Sequence, residues 1–131
     1  MSNGTWYHVA LTYDGATATL YVDGASIGTE SISIVMEQAT RTTTIGQPLT
    51  SHGGYFDGQI DSVGLWDSAL TAGQILEIYN GGIPFDLSGY SPVAWYRMGD
   101  GDNPGGTTIT DRAGQNNGTT ENSPTWSSDT P

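Results

Sequence analysis

The sequence predicts an all-β protein, an antiparallel β-sandwich of the jelly-roll kind with one short helix. Three observations predict it. Apolar and polar residues alternate through the first third of the chain, glycine-containing turn dipeptides divide those runs, and the spacing changes to a helical period once, near residue 71. Many short strands with a single helix bury their apolar faces most simply as two packed sheets.

From Trp6 to Tyr13, Tyr7, Val9, Leu11 and Tyr13 fall on one face of a strand; from Thr17 to Asp23, Ala18, Leu20 and Val22 do the same. Both read as half-buried strands. Asp14-Gly15 joins them as a hairpin, and Asp23-Gly24 turns the chain into another strand, because glycine supplies the positive φ of a tight turn. Ile32, Ile34 and Met36 alternate in the next run, Thr42 to Gly46 is a short β-branched stretch before Pro48, and residues 51–54 form a loop. Tyr55 to Trp66 is the longest β candidate, with apolar residues on both faces or a bulge near Gly58. Thr71 and Gln74 then form a capping box, Ile75, Ile78 and Tyr79 recur at helical spacing, and Gly81-Gly82 supplies the stop, so a helix is expected at about 71–80. A connector over 84–92 leads to a strand over Val93 to Met98, a short strand around Thr107 to Thr110, and a polar, extended tail.

The chain has 131 residues, no cysteine and a formal net charge of −11, from 14 acids against Arg41, Arg97 and Arg112. Three scattered cations make no basic stripe, so nucleic acid is not expected as a partner. No apolar run approaches the ~20 residues of a spanning helix, so membrane insertion is not expected either. The N-terminus lacks the basic and apolar regions of a secretory signal; an extracellular site then calls for another route, such as virion assembly, or a chain that is a fragment.

Five ordered blocks carry a resemblance: Thr5-Trp6-Tyr7-His8-Val9-Ala10-Leu11-Thr12-Tyr13-Asp14-Gly15; Leu20-Tyr21-Val22-Asp23-Gly24; Ile45-Gly46; Phe56-Asp57-Gly58-Gln59-Ile60-Asp61 with Val63, Leu65 and Trp66; and Ala69-Leu70-Thr71 with Ile75 and Tyr79. Over about 80 residues the chain resembles the laminin G-like (LamG) family of concanavalin A-like jelly rolls. The resemblance implies that residues 1–83 are the closing half of such a sandwich. The segment Val93-Ala94-Trp95-Tyr96-Arg97-Met98-Gly99-Asp100-Gly101, with Thr110-Asp111, Gly114, Asn117-Gly118-Thr119 and Asn122, looks like an opening half. Residues 93–131 are thus expected to complete the same sandwich or a neighbouring one. This C-terminal part is also similar to phage-encoded LamG-like structural proteins.

Enzymatic chemistry finds little support in the residues. Glu30, Glu37, Glu77 and Glu121 are well separated in sequence, and Asp57 and Asp61 on one strand face would lie about 13 Å apart, against the ~5–5.5 Å of a retaining glycosidase. Gly24-Ala25-Ser26-Ile27-Gly28 has the GxSxG spelling but leads from a hairpin turn into a strand, not from a strand into a helix. His8 and His52, without cysteine, make no zinc site. Asp100, Asp102 and Asp111 occupy positions 1, 3 and 12 of a partial calcium-loop pattern with Gly105 at position 6, although Pro104 stands where a ligand is wanted and turn chemistry explains the run equally well. Trp6, Trp66 and Trp95 are expected in the core. Tyr55, Tyr90 and Trp126, at segment ends or in loops, are the candidate ligand-binding aromatics. Asn3 and Asn117 begin glycosylation-type triplets that arise by chance in a Thr-rich chain.

The expected function is a non-catalytic module for adhesion or structural display in an extracellular or virion-surface assembly, associating with itself or with other subunits. The competing expectation is a carbohydrate-binding module for neutral glycans, with calcium as an optional aid and no cofactor required.

Overall fold

In the computed structural model, residues 1–33, 42–47, 54–99, 101–102, 105–114 and 116–131 are described. Strands β1 (Val9–Tyr13), β2 (Thr17–Val22) and β3 (Ala25–Ser31) form an antiparallel sheet in the order β1-β2-β3. The two turns work differently. Asp14 closes the first: its Oδ1 accepts from the backbone N–H of Ala16 at 2.9 Å and of Thr17 at 2.8 Å. Asp23 and Gly24 close the second with φ values of 50° and 76°, the paired positive φ of a two-residue hairpin. Gly24 is needed for a further reason. A Cβ there would stand 2.8 Å from Leu76 Cδ1 and 3.1 Å from Tyr79 Cδ1, so the turn lies directly on the helix.

Register places Val9, Leu11 and Tyr13 opposite Val22, Leu20 and Ala18, on one face. That face is less covered than the alternation predicts: Val9 is 54% exposed and Leu11 70%. Tyr21, on the other side of β2, is buried. The sheet's inner face is therefore the one that carries Tyr21. Between Leu20 and Tyr21 the β2–β3 register slips by one residue, leaving Ile27 as the extra residue of a bulge.

The expected strand over Tyr55 to Trp66 is corrected. Only β4 (Val63–Leu65) is a strand, and residues 54–60 are irregular and exposed. Ser62, with φ of 47°, turns the chain out of the extended conformation just before β4. The β-branched stretch over Thr42 to Gly46 likewise makes no strand, because Thr44 Oγ1 donates to the Gln47 carbonyl at 2.8 Å and closes a local turn. Ile34, Met36, Pro48 and His52 fall outside the described residues.

Helix α1 (Ala72–Tyr79) starts as the sequence predicts. Gln74 N–H donates to Thr71 Oγ1 at 3.3 Å, and Thr71 N–H to Gln74 Oε1 at 2.8 Å. Its end is set one residue before the predicted glycines, by Asn80 in the left-handed region, whose N–H reaches the Leu76 carbonyl. The segment 84–92 is more than a linker. It holds a 3-10 turn (Leu87–Tyr90) started by Asp86, and it buries Leu87. Gly64 of β4 makes room for this: a Cβ there would stand 2.5 Å from Trp66 and 2.8 Å from Leu87.

Strand β5 (Ala94–Tyr96) then pairs antiparallel with β4, Val63 opposite Tyr96 and Leu65 opposite Ala94. Strand β6 (Thr108–Ile109) pairs antiparallel with β7 (Gly118–Thr119), and β7 lies within the stretch expected as an extended tail. Residues farther on also make contacts. Trp126 lies where a Cβ on Gly99 would fall, and Gln59 Nε2 donates to Ser127 Oγ at 2.8 Å. Of the three tryptophans expected in the core, Trp95 is buried, with Ala94, Leu87, Ile75 and Tyr21, whereas Trp6 and Trp66 are half-buried.

Candidate functional site

The densest polar construction surrounds β5, and it begins with Asp111. This aspartate is buried, and its carboxylate binds backbone on three sides of a loop. Oδ1 accepts from the N–H of Trp95 at 2.9 Å and of Ala113 at 3.0 Å, and Oδ2 from Asn116 at 3.2 Å. The Asp111 N–H itself donates to Asn117 Oδ1 at 3.0 Å, and Arg112 N–H to the Trp95 carbonyl at 2.7 Å. Burial opposes ionisation of Asp111, but the amides of Trp95, Ala113, Asn116 and Gly114 outweigh it and hold the carboxyl below the ordinary aspartate value. Tyr96 beside it is shifted the other way, first by burial and then by the Asp111 charge, and its hydroxyl donates to the Asn116 carbonyl at 2.6 Å.

On this base sits an open cleft of about 690 Å³ lined by Asp86, Ser88, Trp95, Arg97, Gly101 and Arg112. The Arg97 guanidinium lies 5.9 Å from the Trp95 ring centroid, a cation–π arrangement that restrains it. The Trp95 indole N–H points away, to Ser62 Oγ at 3.4 Å. Arg112 reaches over Gly101, where a Cβ would be 2.6 Å from Nη2, and approaches Asp102 Oδ1 at 4.0 Å. Asp86 Oδ1 accepts from Ser88 N–H at 2.9 Å; bonds from Ser88, with a lesser contribution from the Arg97 charge, lower its pKa.

The residues singled out from sequence fall in different surroundings. Asp111 and Asp102 both stand behind this cleft. Asp102, its side chain 2% exposed, accepts from Thr110 N–H at 3.2 Å, and Asp100 falls outside the described residues. The two described acids thus spend oxygens on backbone N–H groups that close the loop, and among the described residues no three His, Cys, Asp or Glu side chains gather as an ion site. Tyr90 is half-buried, edge-on to Phe85, with its hydroxyl bonded to Glu77 and its carbonyl accepting from Trp66 Nε1 at 3.0 Å. Trp126 packs over Gly99, and Tyr55 is 66% exposed. Asp86, Ser88, Arg97 and Arg112 were not singled out. A signal was present: two of the chain's three arginines flank the Trp95 and Asp111 positions.

Comparison with known proteins bears mainly on the first part of the chain. Residues 1–76 match the family model described as the concanavalin A-like lectin/glucanases superfamily, Laminin_G_3. A curated relative is mouse (Mus musculus) Pappalysin-1, 31% identical over 78 residues, an alignment covering 56% of this chain and 5% of that protein. A similar solved structure is that of residues 221–444 of an S-layer domain-containing protein from Clostridium thermocellum. It has a TM-score of 0.50 and 31% identity, and the match covers 60% of this chain and 41% of that one. The chain therefore spans only a small part of the curated relative and under half of the solved one. Among the described residues, antiparallel sheets with one short α-helix agree with the sandwich fold of the matched family. The similarity of residues 93–131 to phage-encoded proteins stands as an expectation from sequence alone.

Proposed function

Because the chain belongs to the concanavalin A-like lectin/glucanases superfamily through residues 1–76, we propose that it is a non-catalytic β-sandwich module of an extracellular or virion-surface assembly, serving adhesion or structural display. The observation that carries this reading is the outer face of the β1-β2-β3 sheet. Val9, Leu11 and Leu20 stand together on it, 54%, 70% and 38% exposed, in a chain whose net charge is −11. An apolar face between two strands matches what the second sheet of a sandwich covers. In this reading a neighbouring subunit covers it, and the S-layer domain-containing neighbour agrees with a surface setting.

Magnitude sets the expected strength. Three such side chains offer roughly 300 Å² per copy, the size of an ordinary monomer's largest patch, so association is weak and opposed by like charge. Light scattering on the intact chain tests it. The mass is expected to rise above 13.8 kDa with concentration, more so in high salt, and Leu11→Glu abolishes the rise. A monomer at every concentration and salt overturns the reading.

A second reading, a carbohydrate-binding module, is favoured by the cleft, which sets acceptor and donor groups side by side: Asp86, Ser88, Arg97 and Arg112. Titration with neutral glycans, with and without calcium, tests it. Saturable binding supports it, and loss of that binding in Tyr55→Ala places the ligand at the exposed aromatic instead.

A further inference from the structure

We infer that Asn3 is a self-modification site, where the chain converts its own asparagine to aspartate and isoaspartate through attack by the Gly4 nitrogen, and that folding withholds the same chemistry from Asn80 and Asn117. Each of these three asparagines stands directly before a glycine. Neither the adhesion reading nor the carbohydrate reading is needed for it.

The step needs only backbone, side-chain amide and water. The Gly4 amide nitrogen gives up its proton and attacks the Asn3 side-chain carbonyl carbon. A bond from that nitrogen to Cγ forms, the Cγ–Nδ2 bond breaks, and ammonia leaves with the protons. Water then opens the five-membered imide at either carbonyl, so amide plus water has become acid plus ammonia. The chain gains one negative charge beyond its −11, and the isoaspartate product adds a methylene to the backbone. Glycine favours the attack because no Cβ shields its nitrogen.

Surroundings decide which of the three can close that ring. Asn3 and Gly4 lie exposed in a turn, and the Asn3 side chain makes no hydrogen bond among the described residues. A Cβ on Gly4, at a φ of 72°, would meet nothing within 4 Å, so no neighbour stands in the way. The turn is closed behind them, with Ser2 N–H donating to the Tyr7 hydroxyl at 2.9 Å, and β1 need not open for the reaction. Asn80 is instead the left-handed cap of α1. Its N–H reaches the Leu76 carbonyl and its Nδ2 the Ile83 carbonyl at 3.4 Å, and a ψ of 34° points its Cβ and the Gly81 nitrogen away from each other. Asn117 is held at both reacting groups. Its Oδ1 accepts from Asp111 N–H at 3.0 Å. Thr120 N–H donates to the Thr107 carbonyl, so the alternation of the antiparallel ladder gives the Gly118 N–H to the Ile109 carbonyl.

Ageing the intact chain in mildly alkaline buffer, once folded and once in guanidinium chloride, tests this by peptide mapping in a mass spectrometer. Each of the three asparagines is read by a gain of about 1 Da and by isoaspartate-specific fragments. Folding is expected to slow conversion of Asn80 and Asn117 by roughly tenfold or more, and that of Asn3 by less than about threefold, because only the first two need local opening. Asn3 slowed beyond that, or Asn117 converting in the folded chain as fast as Asn3, overturns the inference. Asn3→Gln moves the carbonyl one methylene farther from the attacking nitrogen. It is expected to cut conversion at position 3 by roughly tenfold and to leave the rates at Asn80 and Asn117 unchanged. A 1-Da gain at that position as fast as in the parent chain overturns the route through the Gly4 nitrogen.

Discussion

Replacing Asp111 is the sharpest test of how this chain holds its second half. Asp111→Asn keeps shape and volume but turns one acceptor oxygen into an NH₂ group. The less costly orientation leaves the oxygen facing Trp95 and Ala113, whose N–H groups lie at 2.9 and 3.0 Å, and turns the NH₂ toward Asn116 N–H at 3.2 Å, donor against donor. The charge-assisted bonding to that oxygen is then lost and the bonds to the other become neutral, a cost of about 2–3 kcal/mol. Asp111→Ala removes every acceptor, and partial rehydration of the loop keeps its cost to about 3–4 kcal/mol. Against a typical domain stability of roughly 5–15 kcal/mol, either change is large. Urea unfolding followed by tryptophan fluorescence reads both values. A loss under about 0.5 kcal/mol for Asp111→Asn would refute the claim that these amides depend on a carboxylate. The pH dependence has a fixed sign. With the folded pKa held below the unfolded value of about 3.9, the Asp111 contribution is complete above about pH 5 and disappears as pH falls through the folded value. The asparagine variant lacks that acid-side decline.

Four further outcomes are expected. Gly24→Ala, which brings a Cβ to 2.8 Å from Leu76 at a φ of 76°, lowers stability by about 1–3 kcal/mol in a thermal melt; an unchanged melting temperature would show that the turn does not press on α1. Thr71→Ala removes the helix cap and costs about 1 kcal/mol by circular dichroism in urea, with Thr71→Ser restoring most of it. His8, whose ring lies 5.9 Å from that of Tyr79, has its pKa lowered by burial more than Asp23 raises it, so the unfolded chain takes up the proton first and stability falls as pH drops below about 6.5; His8→Phe flattens the change between pH 7.5 and 5.5. Millimolar calcium leaves the melting curve in place, because Asp102 and Asp111 already serve backbone N–H groups, and a clear rise would contradict that account.

What the sequence made legible is what local chemistry decides. The Asp-Gly turns, the Thr71–Gln74 box and the alternation through β1 and β2 each need only a few neighbouring residues, and each has its counterpart in the structure. The strand over Tyr55 to Trp66 was too long because β-propensity does not register that Ser62 leaves the extended region or that pairing starts only where β5 arrives, some thirty residues later. Leu87 was missed because a single apolar residue in a Gly- and Ser-containing connector has no period to show. The alternating face of β1 and β2 was found, but periodicity does not say which of two faces is covered, and the buried one carries Tyr21. The cleft was least visible, since it joins Asp86, Arg97 and Arg112 across two turns and a bridge between Tyr96 and Asp111.

The two parts of the chain meet at a ladder of three residue pairs between β4 and β5, which is little to hold the cleft in position. Other contacts share that task. Val93 N–H donates to the Leu65 carbonyl at 2.8 Å, Trp66 Nε1 to the Tyr90 carbonyl at 3.0 Å, and Trp95 Nε1 to Ser62 at 3.4 Å, so each side of the ladder is tied to the segment that brings β5 in. Gly64 lies at their centre, where any side chain would strike Trp66 and Leu87. The family-matching half and the cleft are therefore not independent units. A substitution at Gly64 displaces Leu87 of the connector and the Trp66 ring, and with that ring goes the indole N–H that holds the Tyr90 carbonyl at 3.0 Å.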